Sequence, residues 1–461
     1  MPRSPQAPSL LLRGTCASAS ALLALGLLPA APALAETAVN PVSGNQGFLV
    51  VTEGDAVLAG NESEGAIAVG GDLVFGDYNV AAHTPGSHTA EGDEHPTALL
   101  VNGRVDFGAS EGDLKVLQDG YVKVGAAADA DISTTDHNGA QVNTVVAGPG
   151  GRETTPRVSL TVRQPRESVT GGALDVAGLF PAYRERSAGL AACEGGVVPL
   201  RTGDGSEALP PFEQGANVTL PLARGTQNVW NVAAEDLAAL EVITFGDAPG
   251  PDAPLLVNVD TSGVGGRFEW RTPNMAGIGL EQARYVLFNF GDATAVTFTP
   301  DSRTVEGTVF APDAKVRWLS PGNIEGNVIA ASFEHGSPSE GVVGNGELHN
   351  GDFSAELTPC GPGGDGAPEE PGEPGEPEPT PGGEGSEAPE EEQPGEGPVT
   401  EETPGGEPSA SPSPEQAAGS DGGLAVTGAS LWGLVGAAVV AIGAGVAAFV
   451  FTRRRRTGPS A

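Results

Sequence analysis

The sequence predicts a mainly β head, wound as a parallel β-solenoid-like coil with one or two packed helices. A disordered stalk and one C-terminal transmembrane helix follow it. Three observations carry this expectation. From Glu36 to Cys360, short runs of alternating apolar residues are broken by Gly, Asn and Asp, the pattern of brief strands joined by tight turns. A Glu-Gly pair followed by inward-facing apolar residues recurs at Glu64-Gly65, Glu306-Gly307 and Glu325-Gly326, as stacked rungs of a coil would repeat. Beyond Cys360 the chain turns polar until a single long apolar run, Ala429 to Phe451. The repeat has no fixed period, so a β-sandwich stands as the alternative for the head.

The N-terminus reads as an export signal. Arg3 and Arg13 precede the apolar run Ala21 to Leu28, and Ala33-Leu34-Ala35 is a small-x-small cleavage site. Residues 1–35 are therefore expected to leave, with the mature chain starting at Glu36. Cys16 leaves with them, so Cys193 and Cys360 remain. Outside the cell a lone cysteine pair is most simply a disulfide; two free thiols are the other reading. A bridge would close a loop of about 170 residues and stabilise the head by about 4–5 kcal/mol on the chain-entropy argument.

The head, 36–360, carries no Pro/Ser-rich linker and is read as one domain. Its strands begin with Gly47-Phe48-Leu49-Val50-Val51 and continue through Ala66-Ile67-Ala68-Val69, Leu73-Val74-Phe75, Ala98 to Val101 and Tyr121 to Val124. Val176, Leu179, Phe180, Tyr183, Ser187 and Leu190 recur at spacings of three and four, which predicts a helix with an apolar stripe. Pro181 places its start near Phe180 or kinks it there. A shorter helix is predicted from Ala233 to Leu240, with Asn231 as N-cap. Strands resume at Ala295 to Thr299, Val305 to Ala311 and Asn323 to Ala330.

The formal charge is -37. From Gly361 to Gly423 there are 17 acidic residues and no Lys or Arg. A segment of Pro, Gly, Glu and Ser has nothing to bury and stays disordered. In a polyproline-like state at about 3.1 Å per residue, it reaches at most about 200 Å. Such acidity repels polyanions, which excludes nucleic acid as a partner.

The C-terminal segment, 424–461, is an ordered triplet. Leu424-Ala425-Val426-Thr427-Gly428 precedes the apolar run 429–451, and Arg453-Arg454-Arg455-Arg456 follows it. Twenty-three uncharged residues are enough to cross a hydrocarbon core of about 30 Å as a helix. The arginines fix that end in the cytoplasm. The pentapeptide resembles the LAxTG sorting signal of class E sortases in high-GC Gram-positive bacteria. The resemblance implies cleavage between Thr427 and Gly428 and transfer of the Thr carbonyl to a peptidoglycan amine. It therefore implies sortase and peptidoglycan as partners and a cell-wall location.

A second resemblance covers roughly Asn40 to Glu356. Glu64-Gly65-Ala66-Ile67-Ala68-Val69-Gly70-Gly71-Asp72-Leu73, Val305 to Ala314, Asn323 to Ala330 and Gly344-Asn345-Gly346-Glu347-Leu348-His349-Asn350 are similar to the choice-of-anchor A domain, an adhesive domain of bacterial surface proteins. It implies a surface role and an extracellular glycan or protein ligand, and carries over no catalytic residues.

Candidate chemistry in the head is sparse. His83, His88 and His95 stand among Glu91, Asp93 and Glu94 in a spacing that matches no zinc motif. Asp129, Asp131 and Asp136 alternate in a loop that would suit Ca²⁺, though the Gly and terminal Glu of an EF-hand are missing. No cofactor is otherwise expected. Trp230, Trp270 and Trp318 are the indoles that a polysaccharide-active enzyme would use as sugar platforms. An intramolecular isopeptide bond to Asn would have Lys115, Lys123 and Lys315 as its amines. No catalytic constellation appears, and the expectation is a wall-anchored binding protein, not an enzyme. A surface enzyme and a structural wall component without a specific ligand are the rival classes.

Overall fold

The computed structural model describes residues 37–171, 174–338, 341 and 346–361. The predicted signal peptide with Ala33, Ala35 and Glu36, the stalk beyond Gly361, the Leu424–Gly428 pentapeptide and the span 429–451 lie outside the described residues. Among the described residues, no helix is long and apolar enough to cross a membrane.

The described chain is mainly β, with a large parallel sheet and few helices. It winds as a three-sided coil. The first face stacks nine strand segments in the order Asn228–Ala233, Leu255–Asp260, Val286–Asn289, the start of Thr308–Trp318, the start of Val328–His335, Phe48–Thr52, Ala66–Val69, Thr97–Val101 and Tyr121–Val124. Each neighbouring pair is parallel. The second face holds Arg267–Trp270, Ala295–Phe298, the ends of the two long strands, Ala56–Leu58 and Leu73–Phe75. The third runs from Ala216–Leu220 and Leu240–Phe245 through bridges at Val305 and Ile324 to Glu347–Leu348, Glu62–Ser63, Tyr78–Val80 and Asp113–Val116. A β-sandwich is excluded for these residues, because its sheets are built from antiparallel strands.

The stacking order is not the chain order. Val50, Val51 and Thr52 pair with Val328, Ile329 and Ala330, so the first coil lies against the last. The chain starts in the middle of the stack and winds to one end. It then re-enters at the far end and winds back. The recurring Glu-Gly pairs mark the corner from the third face to the first, where rungs approach too closely for a side chain. A Cβ on Gly326 would lie 2.7 Å from the Gly307 carbonyl carbon, and one on Gly307 would lie 2.8 Å from Val286 O.

Inside the coil, Trp270, Phe298, Trp318, His335, Leu58 and Phe75 fall in one register and are all buried. Ring centroids are 5.5 Å apart between Trp270 and Phe298, and 4.8 Å between Phe298 and Trp318. His335 joins this column as a neutral ring. Its Nε2 lies 3.0 Å from Gly346 O, which can only accept, so Nδ1 accepts from Tyr78 Oη at 2.9 Å. Burial lowers its pKa to about 4.

Among the described residues four α-helices accompany the coil: α1 (Arg166–Val169), α2 (Phe180–Ala191), α3 (Ala234–Ala239) and α4 (Leu280–Ala283). Pro181 sits in the first turn of α2, where its missing N–H costs nothing. Phe180, Tyr183 and Leu190 press on Val51, Leu256, Leu287, Phe310 and Ile329, so the first face is apolar on both sides. Towards the end of α2 the contact turns polar. Asn289 Nδ2 donates to Ser187 O at 3.0 Å, Asn258 Nδ2 to Leu190 O at 2.9 Å and Asn231 Nδ2 to Cys193 O at 2.9 Å. These amides supply partners for carbonyls at and beyond a helix end. Asn231 is therefore not the N-cap of α3. Ala233 holds that place without a side-chain bond, because Asn231 lies within a strand and faces α2.

Cys193 and Cys360 are joined by a disulfide across 167 residues. Each edge strand of the first face is met by hydrogen bonds from a neighbouring segment, which blunts the edge. At one end the Gln164 side chain exchanges two hydrogen bonds with Val122. At the other, Gly196 and Val197 N–H groups bond Val229 O.

Candidate binding surface

The first face is covered by helices; on the third the outward side chains are half-buried, and Glu325 is 7% exposed. The second carries ion pairs: Lys315 and Arg317 both meet Glu334 at 3.0 Å, and Arg104 meets Asp72 at 3.0 Å.

The third face brings distant parts of the chain together. Val305 bridges Ile324, Ile324 bridges Leu348, and Leu348 pairs with Ser63. The residues that follow these four, Glu306, Glu325, His349 and Glu64, therefore form one outward row on adjacent rungs, which repeat at about 4.8 Å. Those that precede them form a second row: Thr304, Asn323, Glu347 and Glu62, then Asn79. Hydrogen bonds tie the rows. His349 Nδ1 donates to Glu325 Oε2 at 2.9 Å and Nε2 to Glu347 Oε2 at 3.0 Å. Asn61 donates to Glu347, Asn79 to Glu62, and the Asn350 N–H to Glu64. Glu306 Oε2 is buried and has no hydrogen-bond partner.

This packing moves two protons. The Glu325 carboxylate bonded to His349, aided by Glu347, raises the imidazole pKa to about 9. Burial, with the Glu325 charge beside it, pushes Glu306 up to about 7. At neutral pH the row thus presents an imidazolium between carboxylates and one carboxyl poised to change charge.

The sign of the linkage follows from proton counts. Between about pH 4.5 and 7 the folded state holds the Glu306 proton more tightly than the unfolded state does, so this contribution to stability is lost as pH rises through that window. His349 acts in the same direction between about 6.5 and 9. Glu306→Gln removes the first contribution. The variant's melting temperature is expected to gain several degrees on the wild type as pH rises from about 4.5 to 7. Parallel melting curves across that range would show that Glu306 is not protonated in the fold.

The residues singled out from the sequence fare differently. Trp230, Trp270 and Trp318 are buried at 3%, 0% and 0% exposure, so none offers a platform for sugars. Asp129, Asp131 and Asp136 are not drawn together. Asp131 accepts from Ser133 Oγ, and Asp136 closes a turn by accepting from the Asn138 and Ala140 N–H groups. Among the described residues no group of three His, Cys, Asp or Glu is placed to hold a metal ion. His88 packs on Phe48 and His95 on Tyr121, while Asp93 turns to Lys123. The His349 row was not foreseen. Its signal was the Glu of each Glu-Gly pair, whose outward position becomes visible once the pairs are read as one corner.

Residues 41–350, more than half of the chain, match the family described as "Putative Ice-binding-like adhesive domain". The chain belongs to that family. Among solved structures it is similar to the Shewanella frigidimarina ice-binding protein_1 DUF3494 domain, at 15% identity over 71% of this chain and 99% of that one, with a TM-score of 0.25. At that identity and score, the likeness does not bear on function. No curated protein matches the chain.

Proposed function

We propose that the protein is a bacterial cell-surface adhesin that presents its head at the end of an acidic stalk, with sortase joining Thr427 to peptidoglycan. The observation that carries the reading is the family membership of residues 41–350. The finer statements rest on the sequence: an export signal, a stalk almost without apolar residues, and a terminal pentapeptide, span and arginine cluster. The head acts as a binding module with no catalytic step, resident metal or other cofactor.

The third face is the proposed contact surface. Its carboxylates, amides and imidazolium alternate donors and acceptors at rung spacing, which suits a hydroxyl-rich glycan. Ice is a poorer match for this chain. The second face carries the Lys315–Glu334–Arg317 ion pairs, and charged groups hold their own hydration shells instead of templating a lattice of neutral water.

Cells displaying the protein are expected to bind features of a glycan and matrix-protein array, and His349→Ala is expected to weaken that binding by about tenfold, the scale of one lost charge-assisted hydrogen bond. Thr427→Ala is expected to leave the protein unlinked to peptidoglycan, held only by the uncleaved span 429–451 and extractable with detergent. Retention of Thr427→Ala in boiled, detergent-washed walls would refute the sortase anchor. Binding to no feature would refute adhesion.

A further inference from the structure

Lys123 and Asp93 form the most deeply enclosed ion pair among those described. Their side chains are 3% and 5% exposed, with Nζ 2.5 Å from Oδ2. Lys123 projects from Tyr121–Val124 towards α1, and Asp93 comes from the loop that leads back into Thr97–Val101. Two features separate this contact from an ordinary salt bridge. Asp93 Oδ2 has no hydrogen-bond partner, although Nζ is so close, so the contact does not have hydrogen-bond geometry. The other oxygen, Oδ1, accepts from Ser168 Oγ at 2.6 Å. Nζ meanwhile donates to Ser168 O at 2.7 Å, which anchors it beside the carboxyl group.

We infer that Lys123 Nζ and Asp93 Cγ join as an intramolecular amide. In a desolvated pocket a separated charge pair is costly, and transfer of one proton from the ammonium to the carboxylate yields a neutral amine and a neutral acid. The amine lone pair attacks Cγ. The Ser168 hydroxyl bonded to Oδ1 stabilises the negative charge that develops there, as a donor aimed at a forming oxyanion does. Nζ begins with three protons and keeps one. The other two leave on Oδ2 as water, so no oxidant or further reactant enters. The enclosed position supplies proximity, which is worth many orders of magnitude when two groups are held in contact. The product staples the loop containing His88 and Asp93 to the strand at the end of the first face.

Peptide mass mapping tests this on the full-length protein, reduced and digested with glutamyl endopeptidase. Cleavage after Glu91, Glu94, Glu111 and Glu153 leaves Gly92-Asp93-Glu94 as a tripeptide and 112–153 as one fragment. In the wild type the tripeptide is expected as a branch on 112–153, with the combined mass lower by one water. Asp93→Asn is expected to give a branch of the same mass, because ammonia leaves in place of water. Lys123→Arg keeps a cation opposite Asp93 but has no nucleophilic amine, so its fragment is expected unbranched. A wild-type 112–153 fragment at its own sequence mass would overturn the inference. So would a branch that survives Lys123→Arg.

Discussion

Cys360→Ser is expected to lower the melting temperature of the protein by about 10 °C. The disulfide to Cys193 spans 167 residues, and removing the constraint on a loop of that length costs about 5 kcal/mol on the chain-entropy argument, at about 2 °C per kcal/mol for a domain of this size. Local contacts add to the loss. The Cys360 N–H bonds Gly189 O at the end of α2, and Phe353, Ala355 and Leu357 belong to the apolar cluster under that helix. Freeing the bridge loosens the segment that holds α2 down, so the first face is uncovered more easily. Thermal melts with and without a reductant check this: wild type in reductant should melt with the variant. A shift of only 1–2 °C, on the same scale of about 2 °C per kcal/mol, would mean that the apolar contacts alone hold the tail, and the bridge would be dispensable for stability.

Much of this fold was legible because its signals are local. The three- and four-residue spacing from Val176 to Leu190 marked α2, and the Glu-Gly pairs marked one corner of the coil. The candidate site was less legible because it is assembled across the chain. Glu64 accepts from the Asn350 N–H 286 residues away, a contact that exists only because the first coil stacks on the last. A repeat with no fixed period gives no means of reading that order. Burial of the wide aromatics follows the same logic. Phe268 and Trp270 alternate with Arg267 and Glu269, and only the inward phase of the strand decides that the indole belongs to the core. Lys123 looks solvent-exposed in an alternating strand, yet α1 and the preceding loop close over it. Asn231 reads as a cap before a helix, but the ladder of Asn231, Asn258 and Asn289 serves the end of a different helix.

Trp270→Ala is expected to cost about 3–5 kcal/mol, the range for removing a buried aromatic ring, and to lower the melting temperature by about 6–10 °C. Trp270 is fully buried and touches four rings. Phe268 stacks on it at 5.8 Å, and Phe288, Phe290 and Phe298 lie within 6.1 Å. Phe268 shares its strand and the other three lie on the adjoining coil, held at fixed spacing by the parallel ladder, so they have little freedom to close the space left behind. The cavity term should therefore be near the upper end. Trp270→Phe separates packing from polarity. The indole Nε1 is buried with no hydrogen-bond partner, so the smaller ring gives up no bond and removes a desolvated donor. Its cost is expected to be less than half that of alanine. Equilibrium melts of both variants decide the point. If phenylalanine destabilises as much as alanine, the indole N–H must have a partner in the folded protein, and the aromatic column would be held by a specific polar contact instead of by ring packing alone.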